Sequence, residues 1–409
     1  MALTALVCSW GIAEDWPQWR GPRADSTWQG PELPESWPPK DLKPSWKQPI
    51  GGGYGGISVV GERLYVMDRQ KEPQEVERIL CFDTHAGKEL WKHQYPVSYG
   101  KLDYGNGPRS TPTVRDGVVY TFGALGHACC LDAISGNLIW NKDPKADFEV
   151  VLPEWGLAAS PVIFEDLVIL QPGGKRGRCF VGLDKKTGAM RWRCSEDPGG
   201  YATPLLIESP SGPQLVGWTP QHVLGIDPKT GKQLWSVSYP VTYGVSISTP
   251  LYADGIVCVC GYWEGTKAIK LGDKPTDAKL VWEENKFLRG LMAPPLSKDG
   301  LVYLLDKQYG ITCFELASGK KKWDDKNALT PRGRNPQVSY VGLNWEKSNR
   351  ILALNSEGEL VHAEFRPEGY HEFGRVKIIG PTWAAPAFAG TMMYARNDTE
   401  LVAVPLNAK

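Results

Sequence analysis

One phrase recurs along the chain and limits what it can fold into. In its clearest form it reads LDKKTGAMRW, from Leu183 to Trp192. An apolar strand ends on an acid, a turn closes on Gly, and a new strand reaches Trp. Asp184 suits the turn because its carboxylate can bond its own backbone, and Gly188 because it tolerates positive φ. The phrase returns as FDTHAGKELW ending at Trp91, LDAISGNLIW at Trp140, IDPKTGKQLW at Trp235 and FELASGKKKW at Trp323. Worn copies end at Trp282 and Phe373, and a half-copy near the front carries Trp46. These aromatic positions follow one another every 41 to 52 residues, the period of a β-propeller blade built from short strands.

The fold predicted is therefore all-β: an eight-bladed β-propeller of four-stranded antiparallel blades. The first two strands of a blade form a hairpin, marked by Asp116-Gly117, Asp254-Gly255 and Asp299-Gly300. The last two are joined by the Gly turn of the phrase. The final blade stops short of its Trp-bearing strand, so the orphan segment at Ser45 to Ile50 should supply it and close the ring. Trp46, Trp91, Trp140, Trp192, Trp235, Trp282 and Trp323 are read as wedges docking each blade on the next. Residues 14–43, rich in Trp and Pro without periodicity, read as an extended arm lying over the ring, and residues 44–409 as the propeller.

Composition narrows the function. Forty-six basic residues balance 46 acidic ones, and no basic run offers a nucleic-acid surface. No apolar stretch is long enough to span a membrane. Residues 1–13, MALTALVCSWGIA, read as a truncated secretory signal, which predicts a periplasmic or secreted protein; the chain is expected to be a monomer. Three of the nine cysteines, Cys81, Cys130 and Cys313, share one position two residues before the turn acid. That shared slot predicts buried free thiols. Cys258 and Cys260 alternate on one strand face, and Cys179 and Cys194 flank one copy of the phrase.

A second register carries the candidate site. Each innermost strand opens on a small residue and Pro, as at Thr111-Pro112, Ser160-Pro161 and Thr249-Pro250. Just ahead stand Tyr54, Arg109, Trp155, Tyr201, Tyr243, Arg289, Arg334 and Trp383, one per blade. A propeller brings these positions to one mouth of its central channel. Three guanidinium forks and five aromatic faces suit a planar or acidic ligand, or else fill a channel that must be filled. No metal spacing is visible among the six His, and no GxSxG or Walker phrase occurs. GGGYGG at Gly51 to Gly56 leads into a strand rather than a helix, so it is no phosphate cradle.

The repeated LDxxTGxxxW resembles the tryptophan-docking motif of the quinoprotein-like, PQQ-repeat propellers, and this resemblance covers nearly all of the chain past the arm. DWPQWRGP, GPRSTPTV, PEWGLAASP and VILQPGGKRG are similar to a secreted group common in planctomycete bacteria, resembling the outer-membrane assembly lipoprotein of the same fold. The resemblance implies two outcomes. One is a binding or scaffold module with no cofactor, taking a protein partner or a small acidic ligand. The other is a PQQ- and calcium-dependent alcohol or sugar dehydrogenase. Such enzymes need oxygen ligands for Ca²⁺, a catalytic Asp, and a disulfide between adjacent cysteines beside the quinone. Glu154, Asp103, Asn106 and Asn335 lie near the rim without a motif. Cys129-Cys130 lies away from the rim register, with Cys130 in the small-residue slot. The reading favoured is the scaffold, with no catalytic residue and no metal ligand assigned.

Overall fold

The computed structural model describes residues 14–407 apart from positions 291, 334 and 336. The expected leader at 1–13 and Arg334 lie outside the described residues. Eight antiparallel sheets follow one another along the chain. Blade 1 spans 57–96, blade 2 113–142, blade 3 162–194 and blade 4 205–238. Blade 5 spans 251–284, blade 6 296–324 and blade 7 338–377. Blade 8 takes three strands from 387–405 and its fourth, Trp46–Pro49, from near the front of the chain. There Trp46 pairs with Ala403 and Pro49 with Glu400. This closes the ring as the missing final strand predicts.

Local chemistry explains the repeat. Asp83, Asp132, Asp184 and Asp227 each accept the backbone N–H groups two and three residues on. Each turn then closes on a Gly at positive φ, between 67° and 72°. Before each Trp the outer strand carries a bulge, one residue opposed by nothing across the ladder. The bulge turns the indole toward the following blade. The N–H groups of Trp46, Trp91, Trp140, Trp192 and Trp282 donate to Thr84, Ala133, Lys185, Pro228 and Leu316 carbonyls there. Each ring covers the turn Gly of that blade so closely that a Cβ on Gly188 would sit 2.8 Å from Trp140.

Two blades depart from the pattern. Blade 5 has no Gly turn to receive Trp235, whose N–H goes to Gln214 in its own blade at 2.7 Å. In blade 7 the ladder pairs His362 with Gly374 and leaves Phe373 as the bulge. Gly374 thus holds the ladder position that Trp holds in other blades, one residue beyond the aromatic expected there. The arm fills the gap: Trp37 lies edge-on to His362, with centroids 5.8 Å apart, and Pro38 covers Gly374.

The arm runs across the face opposite the blade-to-blade connections. Trp16 bridges Val59 at the far end of blade 1's innermost strand and packs on Phe388 of blade 8. Thr27–Trp28 adds a parallel strand to blade 7. Between them the turn 18–25 enters the central channel. Trp19 donates to Thr249 Oγ1 at 2.9 Å, and buried Arg20 reaches the Pro250 and Pro295 carbonyls. Two cavities remain beside this turn, one of about 30 Å³ next to Arg20 with room for a water or two and one of about 150 Å³ between Trp19 and blades 3 to 5. Higher up, the channel wall is stitched blade to blade. Thr111 N–H donates to Ser160 Oγ, and Ser160 N–H to Thr203 Oγ1, both at 2.9 Å. Arg396, fully buried at the seam of blades 8 and 1, donates to the Met67 and Gly51 carbonyls at 2.5 Å each.

The eight described Cys, all but Cys8, are free and buried. Cys81, Cys130 and Cys313 lie opposite Trp91, Trp140 and Trp323, a slot held by Gly182, Gly225 and Ala268 in other blades. Cys258 and Cys260 are not joined by a disulfide; their Sγ atoms lie 3.9 Å apart, in weak thiol hydrogen-bond contact.

Candidate functional site: the open mouth of the channel

Strands alternate in direction within each blade. Blade-to-blade connections therefore emerge on the same face as the loops joining second and third strands. All seven described rim residues sit on these connections, and the structure divides them into two unlike halves.

Around blades 8, 1, 2 and 3 the mouth is closed upon itself. The connection 97–112 reaches across from blade 1 and stacks Tyr104 on Trp383, 5.8 Å between centroids. Trp383 also meets Tyr54 at 6.0 Å. Asn106 donates to Asp398 of blade 8 at 2.8 Å, and the Trp155 indole donates to Asp103 at 3.3 Å. Arg109, which reads as an anion fork in sequence, points inward. It donates to the carbonyls of Gly107, Asp103 and Tyr104 and lies over the Tyr54 ring. Burial pushes its pKa down and burial pushes that of Tyr54 up. Tyr201 is buried against Trp155, with centroids 5.6 Å apart.

The half around blades 5 and 6 is open. Tyr243 is 71% exposed and Trp263, beside it, 46%; their rings are 6.4 Å apart. Tyr243 holds φ at 57°, and its turn is pinned where Glu264 accepts the N–H and Oγ1 of Thr242. Lys307 Nζ lies 4.2 Å from the Trp263 ring centre and 4.5 Å from that of Tyr262. Arg289 donates to Gln308 Oε1 at 2.8 Å. Buried Asp306 accepts the backbone N–H groups of Arg289, Gln308 and Tyr309, and burial raises its pKa despite them.

The sequence register thus finds Tyr243 and Arg289 but misses Trp263, Tyr262 and Lys307, which sit on the loops between second and third strands. GYWEG and DKQYG carry the signal for a reader who notes that these loops share a face with the blade connections.

The residues present do not fit a calcium-bound quinone. Arg109 is spent on main-chain carbonyls. Cys129 and Cys130 lie inside a strand (Ala128–Asp132). No cluster of three His, Cys, Asp or Glu side chains is arranged to hold a metal among the described residues. Below the rim, Trp19 and Arg20 fill the channel.

A closed ring of eight four-stranded blades, built on one repeated phrase, places the chain in the class of β-propeller repeat proteins. Within it, the chain belongs to the PQQ-repeat propeller family whose model is described as outer membrane protein assembly factor BamB, matched over residues 75–325. It is 21% identical over 265 residues to outer membrane protein assembly factor BamB of Moranella endobia, covering 60% of this chain and 61% of that one. It is 24% identical over 322 residues to quinohemoprotein alcohol dehydrogenase ADH IIB of Pseudomonas putida, covering 67% of this chain and 43% of that one. The chain therefore spans less than two thirds of the length of these curated relatives. Among solved structures, BamB from Moraxella catarrhalis superposes with a TM-score of 0.63 at 15% identity, over 90% of this chain and 98% of that one. Quinohemoprotein alcohol dehydrogenase from Comamonas testosteroni gives 0.70 at 13% identity, over 97% and 81%. No helix among the described residues is long and apolar enough to cross a membrane.

Proposed function

We propose that the chain is a periplasmic or secreted scaffold that docks a protein partner across the blade 5 and 6 half of its mouth. It acts as a monomer and without a cofactor. One observation carries this reading: Tyr243 and Trp263 stay exposed there beside cations, while on the opposite half Tyr54, Trp383, Trp155 and Tyr201 pack in ring pairs and Tyr104, itself 44% exposed, lies over Trp383. Aromatics and Arg in such settings dominate binding energy at interfaces. The relationship to BamB supports a partner of protein nature. A photo-crosslinking residue at Tyr243 should trap one envelope protein, and the same residue at Ile139, on an outer strand, should not. Equal trapping at both positions rejects the mouth as the docking face.

The relatives named as quinohemoprotein dehydrogenases favour a second reading, a PQQ enzyme. Titration with PQQ and Ca²⁺, followed by absorbance and by dye reduction with alcohols, should give neither saturable binding nor turnover. Stoichiometric binding with turnover establishes the enzyme instead.

A further inference from the structure

We propose that the open half of the mouth is a seat for a carboxylate borne on an extended segment of the partner polypeptide, held between Arg289 and Lys307 and flanked by Trp263 and Tyr243. The inference rests on the scaffold reading and adds the chemistry of what is docked.

Two cations are brought together here by the backbone itself: Lys307 N–H donates to the Arg289 carbonyl at 3.0 Å. Neither ends in a tight ion pair. Lys307 Nζ has no carboxylate within 4.0 Å among the described residues and faces two rings. Arg289 Nε lies 3.8 Å from Asp306 and has no hydrogen-bond partner among the described residues, while that carboxylate accepts three backbone N–H groups. Like charges on adjacent segments disfavour each other until an anion arrives between them. Burial, then Arg289, lowers the Lys307 pKa, with the Asp306 and Glu264 carboxylates opposing.

The shape selects the bearer. Behind the mouth the channel is filled by Trp19 and Arg20, so a ligand lies across the opening rather than entering it. Tyr243 keeps a left-handed backbone conformation while its ring stays in solvent. Strain of this kind persists where surrounding structure fixes it, and Glu264 does so. Two exposed rings beside paired cations suit an acidic side chain with apolar neighbours.

The test uses the full chain and a dye-labelled peptide of alternating Glu and Phe, acetylated and amidated, with a Gln-for-Glu counterpart. Fluorescence anisotropy should show saturable binding of the Glu peptide, weakened on the order of tenfold by the Gln exchange. Lys307→Met and Trp263→Ala should each weaken it similarly with an unchanged melting temperature, and added salt should weaken it further. Equal binding of the two peptides, or undiminished binding by Lys307→Met, overturns the proposal. So does PQQ binding that Lys307→Met abolishes while the Glu peptide stays unbound. If crosslinking at Tyr243 still traps a partner while neither peptide binds, the carboxylate seat falls and the docking reading stands.

Discussion

In five of the turns a single Gly, at 87, 136, 188, 231 and 319, carries two demands at once. At Gly188, φ is 70° and the Trp140 indole lies against the bare Cα. An L-residue there pays about 1–2 kcal/mol for the left-handed conformation, and its Cβ also displaces the ring. Gly188→Ala should therefore cost more than Gly→Ala at an open turn such as Gly300, which meets nothing within 4 Å. Trp140→Ala should cost about 3–5 kcal/mol. If the indole and the glycine act as one contact, the double variant will cost clearly less than the sum; denaturant melts of the three variants measure this. The acid, the Gly and the Trp were all legible in sequence. The exact docking position in blade 7 was not. A bulge shifts the ladder by one residue, so Phe373 took the eye while Gly374 took the slot.

Segments show the same trade between legible and hidden. Each blade's strands could be placed from turns and apolar runs. The arm had no period, and its contacts depend on what the ring leaves bare. Trp37 lies where blade 7 offers no indole, and its carbonyl accepts from His362 Nδ1 at 3.1 Å. The other ring nitrogen, Nε2, is buried without a partner among the described residues, so a second proton finds no acceptor there. Burial is the main cause that lowers the His362 pKa to about 4, with Arg350 adding to it and Glu364 and the Trp37 carbonyl opposing. The unfolded chain binds this proton near pH 6.5, so it binds more protons than the folded chain between the two values. Stability must then fall as pH drops from 6.5 toward 4, by about 3 kcal/mol at most for this group. His362→Gln should flatten that limb of the melting profile. An unchanged acid limb assigns it to other groups. The rim was half legible for a similar reason: one residue per blade could be counted, but the reach of the connection 97–112 across three neighbours could not.

The ring as a whole is held by its seam. Eight blades and the borrowed strand follow from the repeat, because a period of this length admits few other closures. The clasp at the seam does not. Arg396 sits in no motif, yet its guanidinium joins blade 8 to blade 1 through carbonyl groups, with burial holding its pKa near 10. Arg396→Met should leave the Met67 and Gly51 carbonyls unpaired and cost about 3 kcal/mol. Calorimetry should also show a broader, less cooperative transition, and native-state hydrogen exchange should speed up first in blades 1 and 8. Uniform exchange across all eight blades would contradict a special role for the seam.

The borrowed strand also sets a clock. Lys47 and its partner Glu400 are separated by 353 residues, and a ribosome adding about 5–20 residues each second needs tens of seconds to cover that distance. Throughout that interval blade 8 does not exist, Trp46 has no ladder to join, and the nascent first blade presents an uncovered flank. Shelter for that flank during synthesis should therefore raise the yield of folded chain without changing the equilibrium stability of the finished ring.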